Sequence, residues 1–184
     1  MAAGGHVIEN PLSGERITIL RTAGDTGGSV LEWELVLAPG GRVPSSHAHP
    51  EQEEAFTVLA GQMRFRVGVR RIIANPGDTV RIPPGTVHHF ANAASRPARV
   101  SVQTRPALSM QELLETAAAL AQDQHLAARR LPRPVDLALF MRDFEREVRA
   151  PYLPAMLVRA VLTPLTRLAR RRGLDSRYRQ LRRR

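Results

Sequence analysis

Residues 41–61 of the chain read Gly41-Arg-Val-Pro-Ser-Ser-His47-Ala-His49-Pro-Glu-Gln-Glu-Glu54-Ala-Phe-Thr-Val-Leu-Ala-Gly61. His47 and His49 are two positions apart, so on an extended strand their side chains project from the same face. A helix would turn residues two apart to different faces. The stretch therefore predicts a strand that presents two imidazoles together. A carboxylate on the next extended segment lies close enough in sequence to complete a set of two histidines and one acid.

A second stretch, residues 77–92, reads Gly77-Asp-Thr-Val-Arg-Ile-Pro83-Pro-Gly85-Thr-Val-His88-His89-Phe-Ala-Asn92. Its prolines and glycines predict a tight turn, and this turn delivers His88 onto the strand that follows. His88 is therefore a candidate for a further ligand of the same site. Neutral imidazoles and a carboxylate suit iron, manganese, nickel, copper and zinc, and affinity alone does not choose among these metals.

The sequence around these two stretches has the pattern of half-buried strands. From residue 17 to about residue 104, apolar residues recur at every second position. The clearest runs are Leu31, Trp33, Leu35 and Leu37, and then Met63, Phe65, Val67 and Val69. Turn signals rich in glycine and proline separate the runs. Several short strands at this spacing predict a sandwich or a closed barrel.

The two quoted stretches resemble the paired motifs of the cupin superfamily. The first matches the spacing of glycine, HxH, glutamate and glycine, and the second matches the spacing of glycine, PxG, histidine and asparagine. The resemblance covers residues from about 10 to 105. In its plan, with a helical C-terminus after one barrel, the chain is similar to bacterial single-cupin proteins.

The resemblance implies a mainly β fold, a single RmlC-like cupin barrel (a double-stranded β-helix, or jelly roll) with a C-terminal α-helical extension. It implies that one divalent transition metal, Fe, Mn, Ni, Cu or Zn, is bound by His47, His49, Glu54 and His88. It also implies a homodimer formed through the strands of the barrel. The mouth of the barrel is the expected place for a small-molecule ligand or substrate.

Two of these ligands have a neighbour that competes for the same role. Glu53 and Glu54 would point to opposite faces of a strand, and the spacing to Gly61 favours Glu54. His88 and His89 likewise cannot both enter the barrel, and we favour His88. The competing interpretation of the whole set is a barrel that keeps these side chains for packing, without a metal. It is disfavoured because converging imidazoles and a carboxylate are costly to bury unpaired.

Beyond Arg105 the sequence changes to a helical period. Ser109 followed by Glu112 predicts a capping box, at the start of a helix that runs to about residue 130. A second helix is predicted from Asp136 to Arg149. The chain thus divides into a cupin β-barrel over residues 1–105 and a helical extension with an Arg-rich tail over residues 106–184.

A third helix is predicted to begin near Pro154 and to carry an apolar stripe, which Pro164 interrupts. Arginines lie beside this stripe, so it could rest on an anionic membrane surface. The favoured interpretation is that the stripe packs on the outside of the barrel or on a partner subunit, because Pro164 would disrupt a long helix lying on a membrane.

The composition excludes several kinds of chemistry. A chain of 184 residues predicts one domain with an appendage. It has no cysteine, which excludes disulfides, thiolate ligands and a cysteine nucleophile. All 27 basic residues are arginine, which excludes Schiff-base chemistry on lysine. The N-terminus has no basic stretch followed by an apolar run, so the sequence predicts a cytoplasmic protein.

The net charge of +10 is unevenly distributed. Eleven arginines stand against 9 acidic residues up to residue 105, and 16 stand against 8 after it. An Arg-rich tail alone supplies only non-specific attraction to phosphates, and the predicted helices carry no recognisable DNA-reading pattern. We therefore predict no specific nucleic-acid partner.

The fold does not by itself identify a reaction. The first hypothesis is a metal-dependent enzyme, dioxygenase-like ahead of isomerase or cyclase, that acts on a small oxygen-rich or aromatic metabolite in the barrel. The alternative is a non-catalytic metabolite-binding or sensing cupin whose C-terminal helices are the interaction element. No separate general acid or base is evident, although Gln52, Glu53 and His89 lie near the motifs.

Overall fold

The computed structural model describes residues 5–43, 45–123, 133–151 and 154–182. Within these ranges the chain forms nine β-strands followed by four α-helices, with a short 3-10 turn at Gly24–Thr26. The predicted end of the first helix near residue 130 and the last two residues of the Arg-rich tail lie outside the described residues.

The strands alternate in direction and form two antiparallel sheets. They are β1 (Val7–Asn10), β2 (Glu15–Arg21), β3 (Leu31–Leu37), β4 (Glu53–Ala60), β5 (Met63–Val67), β6 (Arg70–Ala74), β7 (Thr79–Ile82), β8 (His88–Asn92) and β9 (Ala98–Arg105). The larger sheet has the order β1-β2-β3-β9-β4-β7, and the smaller sheet has the order β6-β5-β8. Neighbours far apart in the chain, such as β3 and β9, pair along their full lengths, as expected for a jelly roll.

The two sheets share one hydrophobic core, and aromatic rings join them at its centre. Phe56 of the larger sheet lies 5.3 Å, centroid to centroid, from both Phe65 and Phe90 of the smaller sheet. Trp33 meets Phe56 edge to face at 6.5 Å. These offset and edge arrangements are the ones that aromatic pairs prefer. The predicted mainly β fold with a helical C-terminus is confirmed.

The period-two pattern correctly identified the inward faces of most strands. Leu31, Trp33, Leu35 and Leu37 are all buried along β3, as are Met63 and Phe65 on β5. The prediction was wrong for Val69, which is 91% exposed. Gly68 takes a left-handed conformation there, with φ of 58°, and the chain turns from β5 to β6 before Val69 can reach the core.

Strand β1 was not predicted, because the period-two pattern of the sequence begins only at residue 17. It is only four residues long and places a single residue, Ile8, in the core. An alternation over so short a stretch is too weak to recognise. β1 forms the edge of the larger sheet and pairs with β2 through Val7 to Asn10.

The helices follow β9 and pack against the sheets and one another. They are α1 (Met110–Gln122), α2 (Pro134–Asp143), α3 (Ala155–Arg171) and α4 (Ser176–Leu181). Met110 and Leu113 of α1 and Phe144 after α2 belong to the same buried cluster as the strands. A second, smaller cluster joins α1, α2 and α4 through Leu120, Leu139, Tyr178 and Leu181. None of the helices in the described ranges is long and apolar enough to cross a membrane.

The predicted capping box at the start of α1 does not form. Ser109 occupies the N-cap position, but its side chain makes no capping hydrogen bond. Its backbone N–H instead donates to Glu147 Oε1 at 3.1 Å, and Glu112 pairs with Arg182 at 2.7 Å. Both partners that a capping box would use are therefore engaged by residues far along the chain.

The second helix prediction was wrong in its end, and the third was right in its start near Pro154 but wrong about an interruption at Pro164. α2 ends at Asp143 and not at Arg149, because the chain after it turns and pairs with Ala48 as an isolated bridge. α3 runs without a break through Pro164. A proline leaves the carbonyl four residues earlier without its helical donor. Here that carbonyl belongs to Ala160, which is exposed, so water can satisfy it.

Candidate metal centre

Three separate segments bring the candidate ligands to one end of the sheets. His47 and His49 lie in the connection between β3 and β4, Glu54 lies near the start of β4, and His88 opens β8. His47 and His88 form an isolated antiparallel bridge and exchange two backbone hydrogen bonds, of 3.1 and 2.8 Å. This backbone pairing fixes the separation of their side chains.

The three imidazoles form a compact cluster. Their ring centroids lie 4.4 to 5.1 Å apart. One nitrogen from each of His47, His49 and His88 can be chosen so that all three lie within 4.8 Å of one another. Glu54 Oε2 adjoins the cluster, 3.1 Å from His49 Nε2 and 3.3 Å from His88 Nε2. The structure thus brings together all four side chains that the sequence singled out.

Each imidazole is held by its Nδ1 atom against a backbone carbonyl. The distances are 3.1 Å from His47 to Ser45 O, 2.5 Å from His49 to Glu147 O, and 2.9 Å from His88 to Thr86 O. A carbonyl can only accept, so Nδ1 carries the proton in all three rings. In the neutral tautomer Nε2 then has a free lone pair. Metal-binding histidines are oriented by contacts of this kind.

The chemistry of the donor set fits a metal. His88 Nε2 is buried and makes no hydrogen bond, although it lies 3.3 Å from Glu54 Oε2. A buried polar nitrogen without a partner is costly in a protein interior. A cation bound among His47, His49, His88 and Glu54 would give this atom a partner and would neutralise the carboxylate.

The charges of the site are strongly coupled. Burial alone would raise the pKa of Glu54, but the positive charge of His49 holds it well below its ordinary value. Burial alone would lower the pKa of His49, but the Glu54 carboxylate and the Glu147 carbonyl together raise it above 6.5. Burial, and then the charges of His49 and His88, lower the pKa of His47 to about 3. Without a metal, His49 and Glu54 therefore form an internal ion pair beside a neutral His47.

The competing neighbours Glu53 and His89, and the nearby Gln52, all make contacts outside the cluster. Glu53 pairs with Arg81 at 3.1 Å, and His89 Nδ1 lies 3.3 Å from Ser46 Oγ. Gln52 is buried, and its amide donates to the carbonyls of Pro106 and Ala107 at 2.9 and 3.0 Å. Each of the three is occupied by a contact outside the cluster.

Two glycines of the first motif lie where other backbone atoms approach closely. A Cβ on Gly61 would lie 2.8 Å from Ala98 Cα, and the residue has φ of 78°. A Cβ on Gly41 would lie 2.8 Å from Ala38 O. Neither position accepts a side chain without moving backbone atoms.

Glu54 is also linked to the centre of the core. Thr104 Oγ1 donates to Glu54 Oε1 at 3.4 Å, and Trp33 Nε1 donates to Thr104 Oγ1 at 3.3 Å. All three residues are buried. The only tryptophan of the chain is therefore two hydrogen bonds away from the candidate metal ligand.

The helical extension contributes directly to the site, which the sequence analysis did not foresee. The backbone of Arg149 exchanges hydrogen bonds of 3.1 and 2.8 Å with Ala48, between the two histidines of the first motif. Glu147 supplies the carbonyl that holds His49. A main-chain acceptor 98 positions away leaves no mark in the sequence, so no side-chain signal could have identified it.

The cluster is nearly enclosed. Residual exposures are 5% for His49, 3% for Glu54 and 1% for His88, whereas His47 is half-buried. Two surface cavities, of about 550 and 240 Å³, are lined by other residues. Solvent therefore reaches the cluster on the side of His47.

Comparison with known proteins finds similarity over the part of the chain that carries this site. A family model described as the cupin domain matches residues 33–103. An RmlC-like cupin from Shewanella frigidimarina is similar over 58% of this chain and 88% of that chain, at 15% identity and a TM-score of 0.51. No curated protein matches the chain.

Two further solved structures are similar at lower TM-scores. KdgF from a Halomonas species matches over 55% of this chain and 86% of its own, at 16% identity and a TM-score of 0.48. Pac13 from Streptomyces, a nucleoside dehydratase, matches over 60% and 83%, at 16% identity and a TM-score of 0.49. At such identities a structural likeness shows the fold alone.

Proposed function

We propose that the cupin-like part of the chain, where the cupin-domain model matches residues 33–103, binds one divalent transition metal through His47, His49, His88 and Glu54. The observation that carries the proposal is the common orientation of the three imidazoles. All three turn Nδ1 to a backbone carbonyl and leave Nε2 for the cluster. Fe, Mn, Ni, Cu and Zn all accept this donor set.

The proposed activity is a metal-dependent reaction on a small metabolite, dioxygenase-like ahead of isomerase or cyclase. A metal bound by such donors supplies Lewis acidity and, if redox-active, electrons for oxygen chemistry. The chain's own residues hold it in an enclosed site that opens on the side of His47, where a small ligand would enter. The low dielectric of such a site strengthens every charge interaction within it.

The alternative proposal is a non-catalytic metabolite-binding or sensing cupin. It is favoured by the state of the residues nearest the site, because Gln52, Glu53 and His89 are each engaged elsewhere. A general acid or base needs to reach the substrate, and these three do not face the cluster. Catalysis would therefore rest on the metal and its four ligands.

Two assembly features belong to the proposal as well. We expect a homodimer formed through the strands of the barrel, as the cupin resemblance implies, and a cytoplasmic location, as the N-terminal sequence predicts. Sedimentation velocity of the full chain tests the dimer, and a monomer at micromolar concentration would contradict it.

The test of metal binding is elemental analysis of protein purified without a chelator or affinity tag. Wild type is expected to carry close to one equivalent of one of the five metals, or to take it up on incubation. His88→Ala and Glu54→Gln should lose most of it, whereas the neighbour variants His89→Ala and Glu53→Gln should keep it. Each control variant makes the same substitution one position away from a proposed ligand. It therefore controls for the loss of an imidazole or a carboxylate in that part of the fold.

Equal metal content in all four variants, or none in wild type after incubation, would overturn the proposal. If metal is bound, mass-spectrometric screening of metabolite mixtures for turnover separates the enzyme from the binder. A ligand that raises Tm without being consumed, in the presence of dioxygen, would favour the binding protein.

A further inference from the structure

Helix α3 presents an apolar face that nothing in the described structure covers. Leu157, Val161, Leu165 and Leu168 recur at helical spacing and are 63, 53, 53 and 46% exposed. The opposite face is anchored, because Thr166 and Ala169 are buried. These four residues therefore do not pack on the chain's own barrel, which was one half of the prediction, and the other half, a partner subunit, stays a prediction. A helix with one apolar face inward and another outward is suited to a partner on its outer side.

The arginines of α3 divide into two groups according to the face they occupy. Arg159 and Arg170 remain exposed but lie on the side of the helix next to α2, where they pair with Glu145 and Asp143, each at 2.6 Å. Arg167 and Arg171, with Arg172 just after the helix, are exposed and form no ion pair with any residue that the structure describes. The helix contains no acidic residue. Its outer side is thus purely cationic and apolar.

These cations border the apolar stripe. At about 100° per residue, Arg167 and Arg171 share a row immediately beside Leu168. The continuous path of α3 through Pro164 keeps this arrangement in register from Ala155 to Arg171. Pro164 was expected to disrupt a long helix lying on a membrane, but α3 has no break there.

The charges select the kind of partner. Pairing this face with the same face of a second copy would bring two rows of unpaired arginines together, with no acid on α3 to offset them. A nucleic acid would neutralise the arginines but leave the leucines in water. An anionic bilayer does both, since its phosphates meet arginines and its interfacial region accepts an apolar helix face.

We propose that α3 docks this protein on the surface of membranes rich in anionic phospholipids, with Leu157, Val161, Leu165 and Leu168 in the interface and Arg167 and Arg171 against the phosphates. This inference does not depend on the proposed metal centre. It gives the helical extension two roles, because the segment before α3 closes the site around His49 while α3 itself faces outward.

The test is flotation of the full chain with vesicles of phosphatidylcholine alone and of phosphatidylcholine mixed with phosphatidylglycerol. Wild type should float only with the anionic vesicles, and less so as salt is raised. Arg167→Gln with Arg171→Gln, and separately Val161→Glu with Leu165→Glu, should each reduce binding at least about tenfold. All replaced side chains are exposed, so the fold should persist, which Trp33 fluorescence checks.

Matched controls lie on the β5–β6 hairpin. Arg70→Gln with Arg71→Gln changes the net charge equally, and Val69→Glu with Ile73→Glu replaces two exposed apolar residues, at 91 and 53% exposure. Both should bind as wild type does. Equal losses in the hairpin and α3 variants would overturn the proposal, because net charge alone would then explain binding. Absence of flotation in wild type would overturn it too. A dimer or a DNA complex that forms in wild type and is lost in the α3 variants, while wild type does not bind vesicles, would identify the other partner.

Discussion

At the scale of single residues, His49 carries a proton when no metal is bound, and a metal would have to displace that proton. His49 donates from Nδ1 to Glu147 O and from Nε2 to Glu54, which requires the imidazolium form. Its pKa is raised above 6.5 by that carboxylate, whereas the pKa of His47 is lowered to about 3. Between about pH 3 and pH 6.5, His47 is therefore neutral and ready to bind a metal, whereas His49 still carries its proton.

We expect metal affinity to depend on pH through His49. A raised pKa means that the proton is retained to higher pH than on an ordinary histidine, so affinity should keep rising with pH above 6.5. Below the folded pKa, each pH unit should cost about tenfold in affinity, since one proton competes with the metal. Competition with a chromogenic chelator across the pH range measures this dependence.

Glu54→Gln provides the control for this prediction. It removes the charge that raises the pKa of His49, so the pH at which affinity levels off should fall, even if the affinity itself is lower. Identical pH profiles in wild type and variant would show that another group controls the dependence.

Much of this site could be predicted from sequence because its ligands follow a strand period. The common direction of His47 and His49, and the exclusion of one of the neighbours His88 and His89, depend only on the alternation of side chains along an extended chain. The carbonyls that orient the rings could not be predicted. They belong to backbone atoms, and their position depends on how distant segments pack.

At the scale of elements, the segment between α2 and α3 connects the extension to the site. Glu147 is 4% exposed, and its side chain accepts a hydrogen bond from Ser109 N–H at the start of α1. Its carbonyl accepts from His49. One residue thus ties the helical extension to the first motif, and its side chain holds its carbonyl in place.

Glu147→Ala should weaken metal binding by about tenfold, the lower end of the effect of losing a residue that orients a metal ligand. Glu147→Gln keeps an acceptor for Ser109 N–H and should bind nearly as wild type does. Isothermal titration with the metal found by elemental analysis measures both. Glu145→Ala, two positions away and outside the site, is the matched control.

Equal affinities for the alanine and glutamine variants would contradict this role for the side chain. A loss in Glu145→Ala as large as in Glu147→Ala would instead indicate a general loosening of the extension.

The elements themselves were predictable where the period extends over several residues. β3 and β5 were identified because their alternation covers five to seven residues. The end of α2 was not, because Val148 continues an apolar helical pattern while the backbone of Arg149 pairs with Ala48. Tertiary pairing overrides local pattern at such a point.

At the scale of the whole molecule, the change from strands to helices at residues 105 and 106 does not coincide with a change of core. Ala107, Met110, Leu113 and Phe144 share a cluster with the residues between the sheets. Phe140 contacts both that cluster and the smaller one among the helices. The sequence could place the change of period, but only packing decides whether the two parts unfold together.

We expect the barrel and the extension to unfold as one cooperative unit. Trp33, the only tryptophan, reports on the barrel, while circular dichroism at helical wavelengths reports mainly on the extension. The two signals should give the same midpoint in urea.

Phe144→Ala removes a ring that is 0% exposed and should cost about 3–5 kcal/mol, lowering both midpoints together. Leu137→Ala, at 43% exposure, should change little. A helical transition at lower urea than the Trp33 transition would mean that the extension is a separate folding unit. So would a Phe144→Ala variant in which only the helical midpoint falls.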